Sequence, residues 1–141
     1  MGSTAPDFTL KTHSGEQFTL SSLRGRSGAL LVFFATWCSY CMLEVPELVE
    51  FHRAYGHDGT PVYAINIKQN ERVVDRFVKS KAVNYTVLLD TDAEVAMAYN
   101  VYGIPLIVGV DKNGVVRYRD HKLPRDRGAL VKLLQQEGTQ P

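Results

Sequence analysis

Apolar and polar residues alternate over Phe8-Thr9-Leu10 and again over Phe18-Thr19-Leu20, on either side of His13-Ser14-Gly15. Period-two alternation around a glycine-containing turn predicts a β-hairpin. Residues 30–35 form an unbroken apolar run, as a strand buried on both faces requires. Helical spacing follows from about Ser39 to Tyr55, and residues 62–67 read as a second buried strand. Val74, Phe77 and Val78 mark a helix over 70–81, and 85–89 a short strand. Thr91 and Glu94 make a Thr-x-x-Glu capping signature for a helix reaching about Tyr99. Residues 106–110 and 115–118 flank Asn113-Gly114, a strong hairpin signal. Leu130, Leu133 and Leu134 mark a closing amphipathic helix.

The order ββ-β-α-β-α-β-α-β-β-α predicts an α/β fold. Strands alternating with helices need parallel crossovers, and the last hairpin adds antiparallel strands. The expected architecture is a mixed central sheet with helices on both faces, an N-terminal hairpin and a central helix–strand insert. Its expected extent is a single domain over 5–137, with 1–4 an expression remnant or unstructured start and 138–141 a tail.

Composition narrows the function. The chain has 141 residues, 45% hydrophobic and 22% charged, with a formal net charge of +1. That is ordinary globular usage, with no net field to hold nucleic acid or an anionic membrane. The basic residues between Arg117 and Arg127 read as a solvated face. No apolar run approaches the ~20 residues of a spanning helix. Met1-Gly2-Ser3 reads as an expression remnant, so a missing leader says little about compartment.

Two cysteines exist, separated by two residues. A bond between them closes too small a loop to stabilise a scaffold. Trp37-Cys38-Ser39-Tyr40-Cys41 sits where the buried strand meets the helix. A helix start offers unpaired N–H groups and the positive end of the macrodipole, both favouring a thiolate. Free cysteine titrates near ~8.5, and such surroundings lower this to roughly 3.5–7.5. Cys38 should gain most, and Cys41, one turn deeper, should be shielded. One sulfur attacks and the other resolves, as disulfide exchange requires. The bland reading is two small buried hydrophobes, but a Cys-x-x-Cys beside a βαβ pattern is a redox signature.

Metal binding competes. Cys38-x2-Cys41-x10-His52-x4-His57 approaches the spacing of a two-Cys, two-His zinc finger. On one continuous helix, however, His52 lies about 16 Å from Cys41 along the axis. Two close thiolates also suit Cu(I), with His121 the candidate third ligand of a copper chaperone. No metal and no cofactor beyond a Cys38–Cys41 redox disulfide are expected.

Cys38, Cys41, Glu44, Leu48, Phe51 and Tyr55 share one helix face. Glu44 should therefore be partly buried one turn below Cys41, where its pKa should rise or it should find a partner; with a raised pKa it could move that thiol's proton. Alternatively it bends out to water. Pro46 removes a helix hydrogen bond and should kink the helix.

Trp-Cys-x-x-Cys, Pro46 and Gly103-Ile104-Pro105 together resemble the thioredoxin superfamily. Ala5-Pro6-Asp7-Phe8, residues 20–25, the insert over 70–89 and residues 111–114 resemble its TlpA/ResA branch. The Pro-x-x-x-Thr-x-x-Cys signature of peroxiredoxin relatives does not occur, though a thiol-dependent peroxidase stays a minor alternative. The resemblance implies a thioredoxin fold and membrane-anchored or periplasmic disulfide reductases, some reducing apocytochrome c during cytochrome c maturation. A cytoplasmic location stays open.

It further implies Cys38 as nucleophile, Cys41 as resolving thiol, and Pro105 as a cis-proline facing them. Ile104 would then pair its backbone with an extended substrate. The branch tends to place a glutamate where Glu44 stands. Three features depart from thioredoxin proper. Val32 occupies the place of a buried strand aspartate, leaving proton handling to Glu44. Ser39-Tyr40 replaces Gly-Pro between the cysteines, and Leu106 stands where threonine is usual. Trp37 and Tyr40 are candidate substrate contacts, and an upstream thiol reductant must reset the pair.

Overall fold

In the computed structural model, which describes residues 2–57 and 59–136, the apolar run becomes β3 (Ala29–Phe34), with all six residues buried. Before it lie β1 (Thr9–Thr12), β2 (Gln17–Thr19) and a 3-10 turn over Leu20–Leu23. After it come α1 (Ser39–Tyr55), β4 (Val62–Ile67), α2 (Glu71–Ser80) and β5 (Thr86–Asp90). Then follow α3 (Glu94–Ala98), β6 (Leu106–Val110), β7 (Val116–Asp120) and α4 (Arg127–Gln135). The strands form one seven-stranded sheet in the order β2-β1-β5-β4-β3-β6-β7. β3 runs parallel to β4 and β4 to β5, whereas β6 and β1 add antiparallel to β3 and β5. The tail expected at 138–141 lies outside the described residues.

β3 is central because neither of its faces can meet water. Leu30, Val32 and Phe34 pack with Leu48 and Phe51 of α1, Val74 and Phe77 of α2, and Leu130 and Leu134 of α4. Leu31 and Phe33 face the opposite layer, with Leu20, Val95 and Tyr99. Each such side chain contributes roughly 1.5–3 kcal/mol on burial, so the strand is anchored from both sides. α1 holds its predicted bounds and stays helical through Pro46, which is exposed. Its far end is tied to the sheet by His52, whose Nδ1 accepts the Val62 N–H at 3.1 Å. Burial, reinforced by His57, pushes the His52 pKa down and favours this neutral acceptor.

Two expectations change. Within the start expected at 1–4, residues 2–4 are tied to the sheet: Gly2 N–H donates to the Val116 carbonyl at 2.8 Å and Val116 N–H to Ser3, and Ala5 N–H follows with a bond to Gly114. The second hairpin turns at Asn113-Gly114 as expected, and its loop closes between Asp111 and Val115. Asp111 is buried; one carboxylate oxygen takes the N–H groups of Asn113 and Val115, while the other takes Arg117 Nε at 2.8 Å. Gly114 sits at φ 81°, the left-handed position such a three-residue loop needs.

The Thr91–Glu94 capping box does not form. Ala93 takes the N-cap position of α3, and the buried Asp90 carboxylate receives Val95 N–H at 3.2 Å and Ala96 N–H at 2.9 Å. A carboxylate at the end of β5 thus satisfies the helix start that Thr91 was expected to cap. Asp90→Ala leaves both donors orphaned. It should cost about 1–3 kcal/mol, read as a lower urea midpoint with unchanged m-value.

Candidate active site

Cys38 is the N-cap of α1. Its backbone carbonyl accepts the Met42 N–H, and its Sγ accepts the Cys41 N–H at 3.2 Å. A sulfur thus stands where serine or aspartate oxygen usually caps a helix, at the positive end of the macrodipole. Sγ also faces the Ile104 carbonyl at 3.7 Å. Both cysteines are free thiols, with Cys38 8% and Cys41 2% exposed. The order matches the expected asymmetry, though even the outer sulfur is largely covered.

The turn that launches Cys38 is braced from β4. Gln69 Oε1 accepts the Thr36 N–H and Asn66 Nδ2, and its Nε2 donates to Thr36 Oγ1, each at 2.8 Å. Lys68, just before it, holds φ 59°. A left-handed L-residue costs roughly 1–2 kcal/mol, and here that conformation precedes the side chain gripping the catalytic-side turn. No sequence motif pointed to Gln69, because Thr36, which it braces, lies 33 residues away.

Burial, then the hydrogen bond with Cys38, pushes the Cys41 thiol up to about 12. It therefore needs a base before it can attack. Glu44 follows one turn later, half-buried as its helical spacing predicted. Burial and then the neighbouring Glu47 raise its pKa; Arg127, the Leu123 backbone N–H and Lys122 pull the other way. Val32, 1% exposed, packs in the same cluster as Cys41, so that part of the strand brings no ionisable group.

The Ile104–Pro105 peptide is cis. Beside it opens a cleft of about 370 Å³ lined by Tyr40, Leu43, Glu44, Ile104, Pro105 and Lys122, among others. Trp37 and Tyr40 are each 73% exposed, so neither spends its ring area on the core. The structure thus brings Cys38, Cys41, Glu44, Tyr40, Ile104 and Pro105 to one end of the sheet. Sequence reasoning missed Leu43, an exposed helix leucine beside the cleft, and the contribution of the 121–123 loop.

The zinc-finger spacing does not come together. His52 is engaged with Val62 at the other end of α1, and His57 stacks near it with ring centroids 5.8 Å apart. His121 Nδ1 lies 2.8 Å from the Pro105 carbonyl. Among the described residues no group of three or more His, Cys, Asp or Glu could hold a metal ion. The basic run is not simply solvated: Arg117 pairs with buried Asp111, and Arg127 with Glu47 at 2.9 Å.

Comparison with known proteins agrees with this geometry. Residues 1–119 match the AhpC/TSA family. The thiol-disulfide oxidoreductase ResA of Geobacillus kaustophilus is 35% identical over 83% of this chain and 67% of its own length. ResA of Bacillus subtilis is 36% identical over 82% of this chain and 64% of its length. The chain therefore spans about two thirds of these relatives. A thiol:disulfide interchange protein of the thioredoxin family from Chlorobium tepidum superposes with a TM-score of 0.81 at 27% identity, covering 95% of this chain and 97% of that one. The fold is thioredoxin-like, as the motifs implied.

Gln69→Ala removes three hydrogen bonds from the turn before Cys38. Stability should fall by about 1–3 kcal/mol, and amide exchange at Thr36 should accelerate.

Proposed function

Because this chain belongs to the AhpC/TSA family and is similar to ResA proteins, we propose that it reduces or exchanges disulfides in protein substrates through Cys38 and Cys41. The carrying observation is Cys38 Sγ at the start of α1, bonded by the Cys41 N–H and 3.7 Å from the Ile104 carbonyl. The Cys38 thiolate attacks one sulfur of a substrate disulfide. A mixed disulfide forms, and the first substrate sulfur leaves as a thiolate that takes a proton. Glu44 then accepts the Cys41 proton, and Cys41 attacks Cys38 Sγ. The second substrate thiol departs, the Cys38–Cys41 bond closes, and two electrons have passed to the substrate. An upstream thiol donor returns the pair to its reduced form.

Trp37, Tyr40 and the Ile104 backbone receive the substrate, with Pro105 shaping the loop. An extended segment can pair with free backbone groups at such an edge while its side chains meet exposed aromatics. Apocytochrome c is the candidate substrate, in cytochrome c maturation, and the setting is extracytoplasmic, periplasmic or at an outward-facing membrane surface. The similarity to ResA supports both. Among the described residues no helix is long and apolar enough to cross a membrane.

Cys38→Ser should reduce insulin no faster than the uncatalysed background; retained turnover would remove the mechanism. Cys41→Ser should accumulate a mixed disulfide with substrate, visible as a shifted band on a non-reducing gel.

Glu44 supplies a pH test. Its carboxyl titrates above the ordinary 4.5, so it becomes an available base only as pH rises through that raised value. In a Cys38→Ser background, alkylation of Cys41 should climb over that range. Glu44→Gln should abolish the climb and slow neutral-pH alkylation on the order of 10²-fold. An unchanged profile would remove Glu44 from proton transfer.

A further inference from the structure

We propose that His121 is a positioning residue that aligns the Ile104–Pro105 loop for substrate docking. This deepens the oxidoreductase reading and rests on it. The β6–β7 ladder ends with Ile107 opposite Asp120. Beyond that pair the backbones stop exchanging ladder bonds, and a side chain takes over: His121 Nδ1 meets the Pro105 carbonyl at 2.8 Å. A carbonyl only accepts, so Nδ1 carries the proton.

His121 is itself held. Its N–H donates to Asp120 Oδ1 at 2.6 Å, and Tyr118 OH donates to the next carbonyl, that of Lys122, at 2.5 Å. The ring lies over Gly103, where an added Cβ would stand 3.6 Å from Cε1. The same loop reaches Glu44 through the Leu123 N–H. One short segment therefore holds both the proline loop and the carboxylate below Cys41.

The consequence follows from backbone mechanics. The ring of Pro105 fixes its φ, so only ψ of Pro105 can turn one neighbouring peptide plane against the other. One plane ends in the Ile104 carbonyl, which faces Cys38 Sγ; the other ends in the Pro105 carbonyl, which His121 holds. Holding the second plane narrows the range of the first, and with it the register in which an extended substrate can pair beside the sulfur. Attack on a small disulfide needs no strand pairing, whereas docking of an extended chain does, so the bond bears chiefly on docking.

The test compares two disulfides: Ellman's reagent, too small to need strand pairing, and an extended peptide carrying a mixed disulfide with 2-nitro-5-thiobenzoate. His121→Leu should raise KM for the peptide about fivefold, the loss expected for one hydrogen bond, with kcat unchanged. Its rate with Ellman's reagent should fall by less than its rate with the peptide. His121→Asn, which restores a short donor, should recover the peptide KM. A wild-type peptide KM in His121→Leu, an equal loss with both reagents, or no recovery with Asn would overturn the role. Wild-type protein that reduces neither disulfide would overturn the oxidoreductase reading instead. If His121→Leu fails to fold, nitrogen NMR of the wild-type ring decides: a proton on Nδ1 supports the bond, and a ring protonated only at Nε2 overturns it.

Discussion

The first turn of α1 closes on a sulfur, and the rest of the site depends on that contact. A helix entered directly from a buried strand must find acceptors for its first N–H groups. Cys38 supplies one with Sγ. Sulfur is a weaker acceptor than the usual capping oxygens, so the turn needs other support. β3 provides it below, locked by burial on both faces, and Gln69 provides it beside the turn. The reactive atom and the helix cap are thus one group, placed where negative charge is favoured.

Two residues separate two sulfurs with different surroundings. Cys38 caps the helix and is the more exposed of the two, and Cys41 lies one turn inside, where loss of water holds its proton tightly. Attack by the outer sulfur needs access, whereas resolution by the inner one needs deprotonation. Glu44 is poised between burial and Glu47 on one side and Arg127, Leu123 and Lys122 on the other. Helix α1 therefore places the two sulfurs, while the β7–α4 connection adjusts the surroundings of the Glu44 carboxylate.

Elements with strong periodicity were legible. β3, α1 and β4 follow their apolar patterns because burial on fixed faces decides them. The start of α3 was not legible, because the carboxylate that satisfies it belongs to the preceding strand and lies off the capping signature. The same holds for the second hairpin. Asn113-Gly114 signalled a turn correctly, but the buried Asp111 decided its length by taking two N–H groups and Arg117. Local signals mark where a chain must turn; a buried charge decides how.

At the site, the chain alone determined what spacing controls: a sulfur at the strand–helix junction, a second one turn on, and a carboxylate one turn further on the same face. These follow from 3.6 residues per turn and need no partner. Only the tertiary structure decided what lies opposite them. Gln69 comes from beyond β4, Ile104 and Pro105 from before β6, and His121 and Leu123 from after β7. Their roles arise from sheet order β4-β3-β6-β7, which brings distant segments to one edge. Periodicity fixes neighbours along an element, whereas contacts across a sheet depend on which strands pair.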